Sequence, residues 1–120
     1  MNFQEIKNFL NMIENPVEKL EAVMDFGKRL ESVPENAVCT EIIGCTSLVQ
    51  ICQLGNRFYG RADSAIVRGI VAIIISMVDG KTNDEIKQMD LIKDFQDLNL
   101  NLGVSRLNGI NSMVRFLHNL

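Results

Sequence analysis

The chain has 120 residues, of which 47% are hydrophobic, and a formal net charge of -3 at pH 7. This length fits one domain with a sizeable apolar core, so we expect a single domain over residues 1–120. The acidic balance argues against a general nucleic-acid binder or a membrane-surface protein, since both need a cationic face to pair with phosphates.

The N-terminal quarter predicts two amphipathic helices. Apolar residues recur at three- and four-residue steps over residues 3–14, the period of a helix with one buried face. Asn15 is expected to cap the second helix, with Pro16 at its first position. Gly27 is expected to permit close packing of that helix. Its buried face is predicted to contain Val17, Leu20, Met24 and Leu30.

Three short strands are predicted next, at Val38 to Ile43, Ser47 to Gln53 and Arg57 to Ala62. The last two are joined by Gly55-Asn56, a dipeptide that tolerates the positive φ of a hairpin turn. The strands therefore predict a small antiparallel sheet.

The remaining chain has a helical period. Residues 70–78 are apolar nearly all round, which predicts a central buried helix, and Gly80 is expected to stop it. Thr82 and Glu85 form a capping-box pattern for a short helix, and a second short helix follows. Ser105 is expected to cap the last helix. The predicted class is α+β, with a small three-stranded antiparallel sheet and helices packed on one face.

Three cysteines, Cys39, Cys45 and Cys52, crowd into a short stretch. An odd number is a poor disulfide framework, so we expect free thiols and a reducing compartment. The N-terminus lacks the basic region of a signal peptide, which favours a cytoplasmic protein. The cysteine spacings match no zinc knuckle or common cluster pattern. A zinc or iron–sulfur scaffold that uses all three cysteines nevertheless stays open as an alternative.

Cys45 differs in context from the other two cysteines, which fall within predicted strands where a thiol is usually an inert hydrophobe. It follows Gly44 at the break between two strands, and this glycine allows a sharp turn. Thr46 and Ser47 offer hydroxyl donors to a thiolate. On chemistry alone, an ordinary buried cysteine remains the competing interpretation.

Two other features predict no chemistry. Gly80-Lys81-Thr82 lacks the glycine that a phosphate-binding loop needs five positions earlier, where Ile75 stands. His118 is the only histidine and lies near the C-terminus, so we expect it to be a solvated surface residue.

Several segments form a collinear pattern along nearly the whole chain: Gly44 to Ser47 with Val49, Ala62 to Gly69, Gly80 to Thr82, and Ser105 to Gly109. Together they resemble the SufE family of sulfur-acceptor proteins. The chain departs from the family pattern at Gln50, where a tryptophan is common, and at Val104, where a proline is usual. The approach to Asp63 is also shorter than in the family.

The resemblance implies a SufE/IscU-like fold and a cysteine that accepts sulfane sulfur from a pyridoxal-phosphate-dependent cysteine desulfurase. Cys45 matches that cysteine. The chain would then be a covalent persulfide carrier, not an enzyme, which stimulates the desulfurase and passes sulfur to iron–sulfur cluster assembly. We expect no cofactor or metal on this chain. The residues expected to border the pocket or contact the partner are Gly44, Thr46, Ser47, Asp63 and Arg106.

The implied partners are a desulfurase of the SufS or CsdA type and iron–sulfur scaffold proteins, with no nucleic acid and no membrane. A persulfide is vulnerable to stray thiols and oxidants, so it needs shelter between donor and recipient. We expect Ile42 and Ile43 to line that shelter and the loop to flip Cys45 outward on docking. A regulatory domain that binds a desulfurase without taking sulfur is a further alternative.

Overall fold

The computed structural model describes every residue from Met1 to Leu120. The elements are α1 (Phe3–Met12), α2 (Pro16–Gly27), β1 (Val38–Glu41), β2 (Val49–Leu54), β3 (Arg57–Ala62), α3 (Ala65–Val78), α4 (Asn83–Lys87), α5 (Leu91–Gln96) and α6 (Val104–His118). The three strands form one antiparallel sheet in the order β1-β2-β3, which confirms the predicted fold class. None of the helices combines the length and the apolar character that a bilayer-spanning segment requires.

One face of the sheet packs on the helices. Val49 and Ile51 of β2 and Phe58 of β3 are buried and join the apolar cluster formed by the helices. Gly60 of β3 faces α3, since a Cβ added there would lie 2.8 Å from the side chain of Ile75. The small residue lets the central helix lie directly on the sheet.

The helices α2 and α3 approach each other very closely where they cross. A Cβ on Gly27 would lie 2.7 Å from the backbone nitrogen of Gly69, and a Cβ on Gly69 would collide with the carbonyl of Val23. The two helices therefore touch backbone to backbone, which confirms that Gly27 permits close packing.

This crossing corrects the predicted buried face of α2. Val17 is 64% exposed, and Leu20 and Met24 lie on the partly exposed flank of the helix. The residues that α2 buries are Lys19, Ala22, Val23, Phe26 and Gly27. Apolar spacing alone could not give this face, because the position of Gly69 on another helix sets it.

Most of the predicted helix ends are confirmed. Asn15 caps α2, and Thr82 and Glu85 form the reciprocal capping box of α4. The predicted Ser105 cap is wrong, because α6 begins at Val104 with Gly103 as its N-cap and no side-chain cap bond. Ser105 is therefore inside the first turn of α6, where its hydroxyl is free to meet other parts of the chain.

His118 is also placed differently from the prediction. Its ring is half-buried, and its Nε2 lies 3.0 Å from the carbonyl oxygen of Met89. The histidine is therefore not a solvated surface residue, because it links the end of α6 to the turn that follows α4.

Cys39 and Cys52 form a disulfide between β1 and β2, so the prediction of three free thiols is wrong. The strand register places them directly opposite each other, with their Cα atoms 4.0 Å apart. Cys45 is the only free cysteine. The sequence shows the spacing of the cysteines along the chain but not the register of the two strands, so this disulfide could not be predicted from it.

Gly69→Ala tests the crossing of α2 and α3. Alanine normally stabilises a helix interior by about 1 kcal/mol relative to glycine. Here the new Cβ would meet the backbone of α2 near Val23, which cannot rotate away. We expect a net destabilisation of about 2 kcal/mol, measured as a lower midpoint of urea unfolding. Glu21→Ala, at an exposed site on α2, should stay within about 0.5 kcal/mol of the original chain. An unchanged midpoint for Gly69→Ala would contradict the crossing.

Candidate functional site

The loop of residues 42–48 connects β1 to β2 and carries Cys45. Both strands are shorter on this side than predicted, which leaves a longer loop. Ile42 anchors its entry: the Ile42 N–H donates to the carbonyl of Val49 at 2.9 Å, and its side chain is 5% exposed. The loop therefore starts from a fixed point in the core.

Gly44 turns this loop toward α6. Its φ is +102°, in the left-handed half of the map that residues with a Cβ rarely adopt. A Cβ at this position would also collide with the hydroxyl of Ser112 on α6. Backbone conformation and close approach both require glycine here, as the sharp-turn prediction anticipated.

Cys45 lies against the backbone of α6. Its Sγ is 3.7 Å from the carbonyl oxygen of Gly109, to which the S–H donates a weak hydrogen bond. A Cβ on Gly109 would lie 3.3 Å from the same sulfur, which is tighter than ordinary contact. The thiol is half-buried. Glycine at position 109 is therefore what makes room for the sulfur.

Burial raises the pKa of the Cys45 thiol. A thiolate in this position would lose hydration, and the carbonyl oxygen of Gly109 would face it as a second negative atom. The cysteine therefore rests as the protonated thiol, which is the unreactive form.

A small cavity of about 20 Å³ adjoins Cys45, enough for about one water molecule. Its apolar wall consists of Val67 and Ile70 of α3 and Met113 of α6. The other lining residues are Thr46, Ser47, Ser105, Arg106 and Gly109. The cavity thus has an apolar wall on one side and polar residues on the other, including the cationic side chain of Arg106.

The predicted hydroxyl donors do not contact the sulfur in this conformation. The Thr46 hydroxyl lies 3.5 Å from the hydroxyl of Ser105, which connects the loop to the first turn of α6. Ser47 lines the cavity, and the one hydrogen bond of Cys45 goes to Gly109. Both hydroxyls border the site without holding the thiol.

Of the two predicted charged residues, Arg106 borders the cavity and Asp63 does not. Arg106 is exposed in the first turn of α6 and takes part in no salt bridge. Asp63 is exposed before α3, whose N-cap is Ser64 with its hydroxyl accepting from the N–H of Val67 at 3.3 Å. Any role for Asp63 therefore has to come from a partner surface.

The predicted shelter of Ile42 and Ile43 is wrong. Ile42 belongs to the core, and Ile43 is 82% exposed to solvent. The apolar wall beside Cys45 comes from α3 and α6 instead. The sequence reasoning also missed Gly109, although that glycine ends one of the segments that carry the family resemblance.

In this structure the three cysteines do not form the ligand set that the scaffold alternative requires. Cys39 and Cys52 are bonded to each other, so they cannot join Cys45 as thiolate ligands in this state. No group of three or more His, Cys, Asp or Glu side chains is arranged to hold a metal ion.

Four large apolar side chains are exposed on the two segments that carry the site, the loop and the start of α6. They are Ile43 at 82%, Leu48 at 48%, Val104 at 75% and Leu107 at 45% exposure. We call these four residues the apolar rim. Exposed apolar side chains around a site are typical of surfaces that bind another protein.

Comparison with known proteins identifies the family to which the chain belongs. The sequence model of the SufE family, described as an Fe-S metabolism associated domain, matches residues 4–120, and the chain therefore belongs to this family. An uncharacterized SufE-like protein of Rhizobium meliloti is 33% identical over 105 residues, covering 78% of this chain and 75% of its own. The sulfur acceptor protein CsdE of Escherichia coli is 30% identical over 105 residues, covering 80% and 71%.

The fold has a solved counterpart. The solution structure of a hypothetical protein from Thermus thermophilus matches 98% of this chain and 90% of its own with a TM-score of 0.72. The two sequences are 9% identical, so the likeness concerns the fold alone.

Gly109→Ala tests the contact that holds Cys45. The added Cβ would press on the sulfur, and the loop should yield because α6 is a continuous helix of 15 residues that alanine favours. We expect several-fold faster alkylation of Cys45 by iodoacetamide, with no loss of stability to urea. Asn108→Ala, at the exposed neighbouring position, is the matched control. Equal alkylation rates in the two variants would show that Gly109 does not position the thiol.

Proposed function

We propose that this chain is a sulfur acceptor and carrier. Cys45 takes a persulfide sulfur from a pyridoxal-phosphate-dependent cysteine desulfurase, stimulates its turnover and passes the sulfur to iron–sulfur cluster assembly. The observation that carries this proposal is the position of the one free thiol, on a glycine-hinged loop beside a cavity. Membership of the SufE family and the likeness to a protein named as a sulfur acceptor support the same chemistry.

The transfer is a thiol exchange that needs neither oxidant nor reductant. The Cys45 thiolate attacks the outer sulfur of the desulfurase persulfide and forms a new S–S bond. The old S–S bond breaks, and the desulfurase cysteine leaves as a thiolate that takes up the proton released from Cys45. The desulfurase and its cofactor perform the carbon–sulfur cleavage, so this chain acts as a second substrate.

Two features of the start of α6 favour the thiolate once Cys45 leaves Gly109. Arg106 borders the cavity with no carboxylate partner, so its charge is available to a sulfur anion. The N-terminus of α6 has no side-chain cap, and its free N–H groups carry partial positive charge. Movement toward this end of the helix would therefore lower a thiol pKa that burial keeps high at rest.

The cavity supplies the shelter that a persulfide needs. A loaded Cys45 is longer by one sulfur atom, and the space beside it accommodates about one further heavy atom. Val67, Ile70 and Met113 form its apolar wall and exclude charged oxidants and thiolates. Gly44 is the hinge that would let the loaded cysteine swing between this cavity and the partner.

The apolar rim supplies the contact area for the desulfurase. Ile43 and Leu48 lie on the loop and Val104 and Leu107 on α6, so a partner that covers them sits directly over Cys45. We assign Asp63 to the edge of the same docking surface, because it is exposed just before α3. Thr46 and Ser47 then lie between the two proteins.

The experiment is to incubate the chain, prepared with the Cys39–Cys52 disulfide intact, with a cysteine desulfurase and free cysteine, without added reductant, and to map the added sulfur by intact and peptide mass. We expect a gain of one sulfur on the peptide that contains Cys45, together with faster desulfurase turnover. Cys45→Ser should abolish both effects. The double variant Cys39→Ser, Cys52→Ser is the matched control and should keep Cys45 as an acceptor.

Two outcomes would overturn the proposal. Full stimulation of the desulfurase by Cys45→Ser would favour a regulatory domain that binds without taking sulfur. Absence of sulfur on Cys45 in the original chain, while the desulfurase is active, would remove the carrier role.

A further inference from the structure

Cys39 and Cys52 form a second sulfur site, on the face of the sheet that points away from the helices. Alternate residues of a strand point to opposite faces, and Ile51 points into the core. Cys52 therefore points outward, between its cross-strand neighbours Cys39 and Tyr59. It is fully buried, but it is not part of the cluster of apolar residues that pack between the sheet and the helices. The pair is thus separate from both the core and the Cys45 cavity.

The strand register itself brings the two sulfurs together. The Ile42 N–H donates to the carbonyl of Val49, which makes that pair a hydrogen-bonded one. Hydrogen-bonded and non-hydrogen-bonded pairs alternate along antiparallel strands, so Cys39 and Cys52 occupy a non-hydrogen-bonded pair. Side chains come closest at such positions. The register of the two strands therefore holds Cys39 and Cys52 side by side.

The two cysteines differ in access. Cys39 is exposed on β1, an edge strand whose four residues are all exposed. Cys52 has no exposed surface. An external thiol or disulfide therefore reaches Cys39 first, and Cys52 is placed to complete the exchange.

We propose that Cys39 and Cys52 are a reversible redox pair that exchanges with dithiols and low-molecular-weight disulfides. When the pair is oxidised, Cys45 is the only cysteine that can accept sulfur, and we call this effect the reservation of sulfur for Cys45. The redox exchange stands on the geometry of the pair alone. The reservation of sulfur rests on the proposed function.

The exchange is balanced in two steps. The Cys39 thiolate attacks a small disulfide, forms a mixed disulfide and releases one small thiol. The Cys52 thiolate then attacks the sulfur of Cys39 and releases the second thiol. Two electrons pass from the pair to the small disulfide, and a dithiol reductant reverses both steps.

The reduced pair would divert sulfur. An exposed Cys39 thiol can take the outer sulfur of a persulfide and become a persulfide itself. Cys52 would then attack the inner sulfur, close the disulfide and release hydrosulfide. In the oxidised pair neither thiol is available, so Cys45 is the only acceptor. The oxidation state of the pair would thus decide whether sulfur is carried or lost.

The redox exchange is tested in Cys45→Ser, where sulfur acceptance plays no part. The chain is equilibrated in mixtures of reduced and oxidised glutathione, quenched with acid and alkylated. Mass spectrometry then gives the number of free thiols per chain. We expect a single transition between a form with two thiols and a form with none. Two free thiols at every ratio, or glutathione retained on Cys39 without closure, would overturn the proposal.

Sulfide release tests the reservation of sulfur. The original chain is prepared with the pair oxidised or reduced, freed of reductant, and loaded by a desulfurase with free cysteine. We expect the reduced chain to release one hydrosulfide for each disulfide formed and the oxidised chain to retain its sulfur on Cys45. Cys52→Ser should hold a stable persulfide on Cys39 without release. Equal retention by both forms of the original chain would refute the reservation.

The two proposals fail separately. If the glutathione transition occurs but Cys45 never gains sulfur, the carrier role fails and the redox exchange stands. If Cys45 is loaded but the pair shows no transition, the redox exchange fails and the carrier role stands.

Discussion

The contact between the Cys45 sulfur and the bare backbone of α6 at Gly109 is the constraint on which the site depends. Three other features serve it. Ile42 fixes the start of the loop in the core, and Gly44 turns the chain toward the helix. The buried residues of α6 hold the helix in place: Ile110, Met113, Val114 and Leu117. A fold built from local helices and a small sheet thus delivers one thiol to one defined position.

That position gives the thiol protection rather than reactivity. Burial raises the pKa of Cys45, and the Gly109 carbonyl accepts a hydrogen bond from the protonated thiol. The hold consists of one weak hydrogen bond and partial burial, so differential contacts of a few kcal/mol with a partner are enough to shift the population to an open loop. This arrangement suits the proposed carrier role, in which the sulfur would become reactive only where a donor or recipient is bound.

The sequence predicted the features that are encoded locally. Asn15, the Thr82 capping box and the Gly55 turn each act within a few residues, so their positions could be read from the chain. Family resemblance singled out Cys45 and its neighbours as the candidate site. The features that the sequence could not predict depend on residues far apart in the chain. The partner of Gly69 on α2, the pairing of Cys39 with Cys52 and the place of Gly109 all require tertiary geometry.

The release of Cys45 from Gly109 on docking is tested by comparing the alkylation rate of Cys45 in the free chain with the rate in complex with a desulfurase whose active cysteine is replaced by alanine. No sulfur can be transferred in this complex, and the alanine leaves space at the donor site. With Cys39 and Cys52 oxidised, every alkylation of a cysteine in this chain reports on Cys45 alone. We expect a higher initial rate in the complex, because docking would release the sulfur from Gly109. A rate that is unchanged or lower at saturating desulfurase would contradict it.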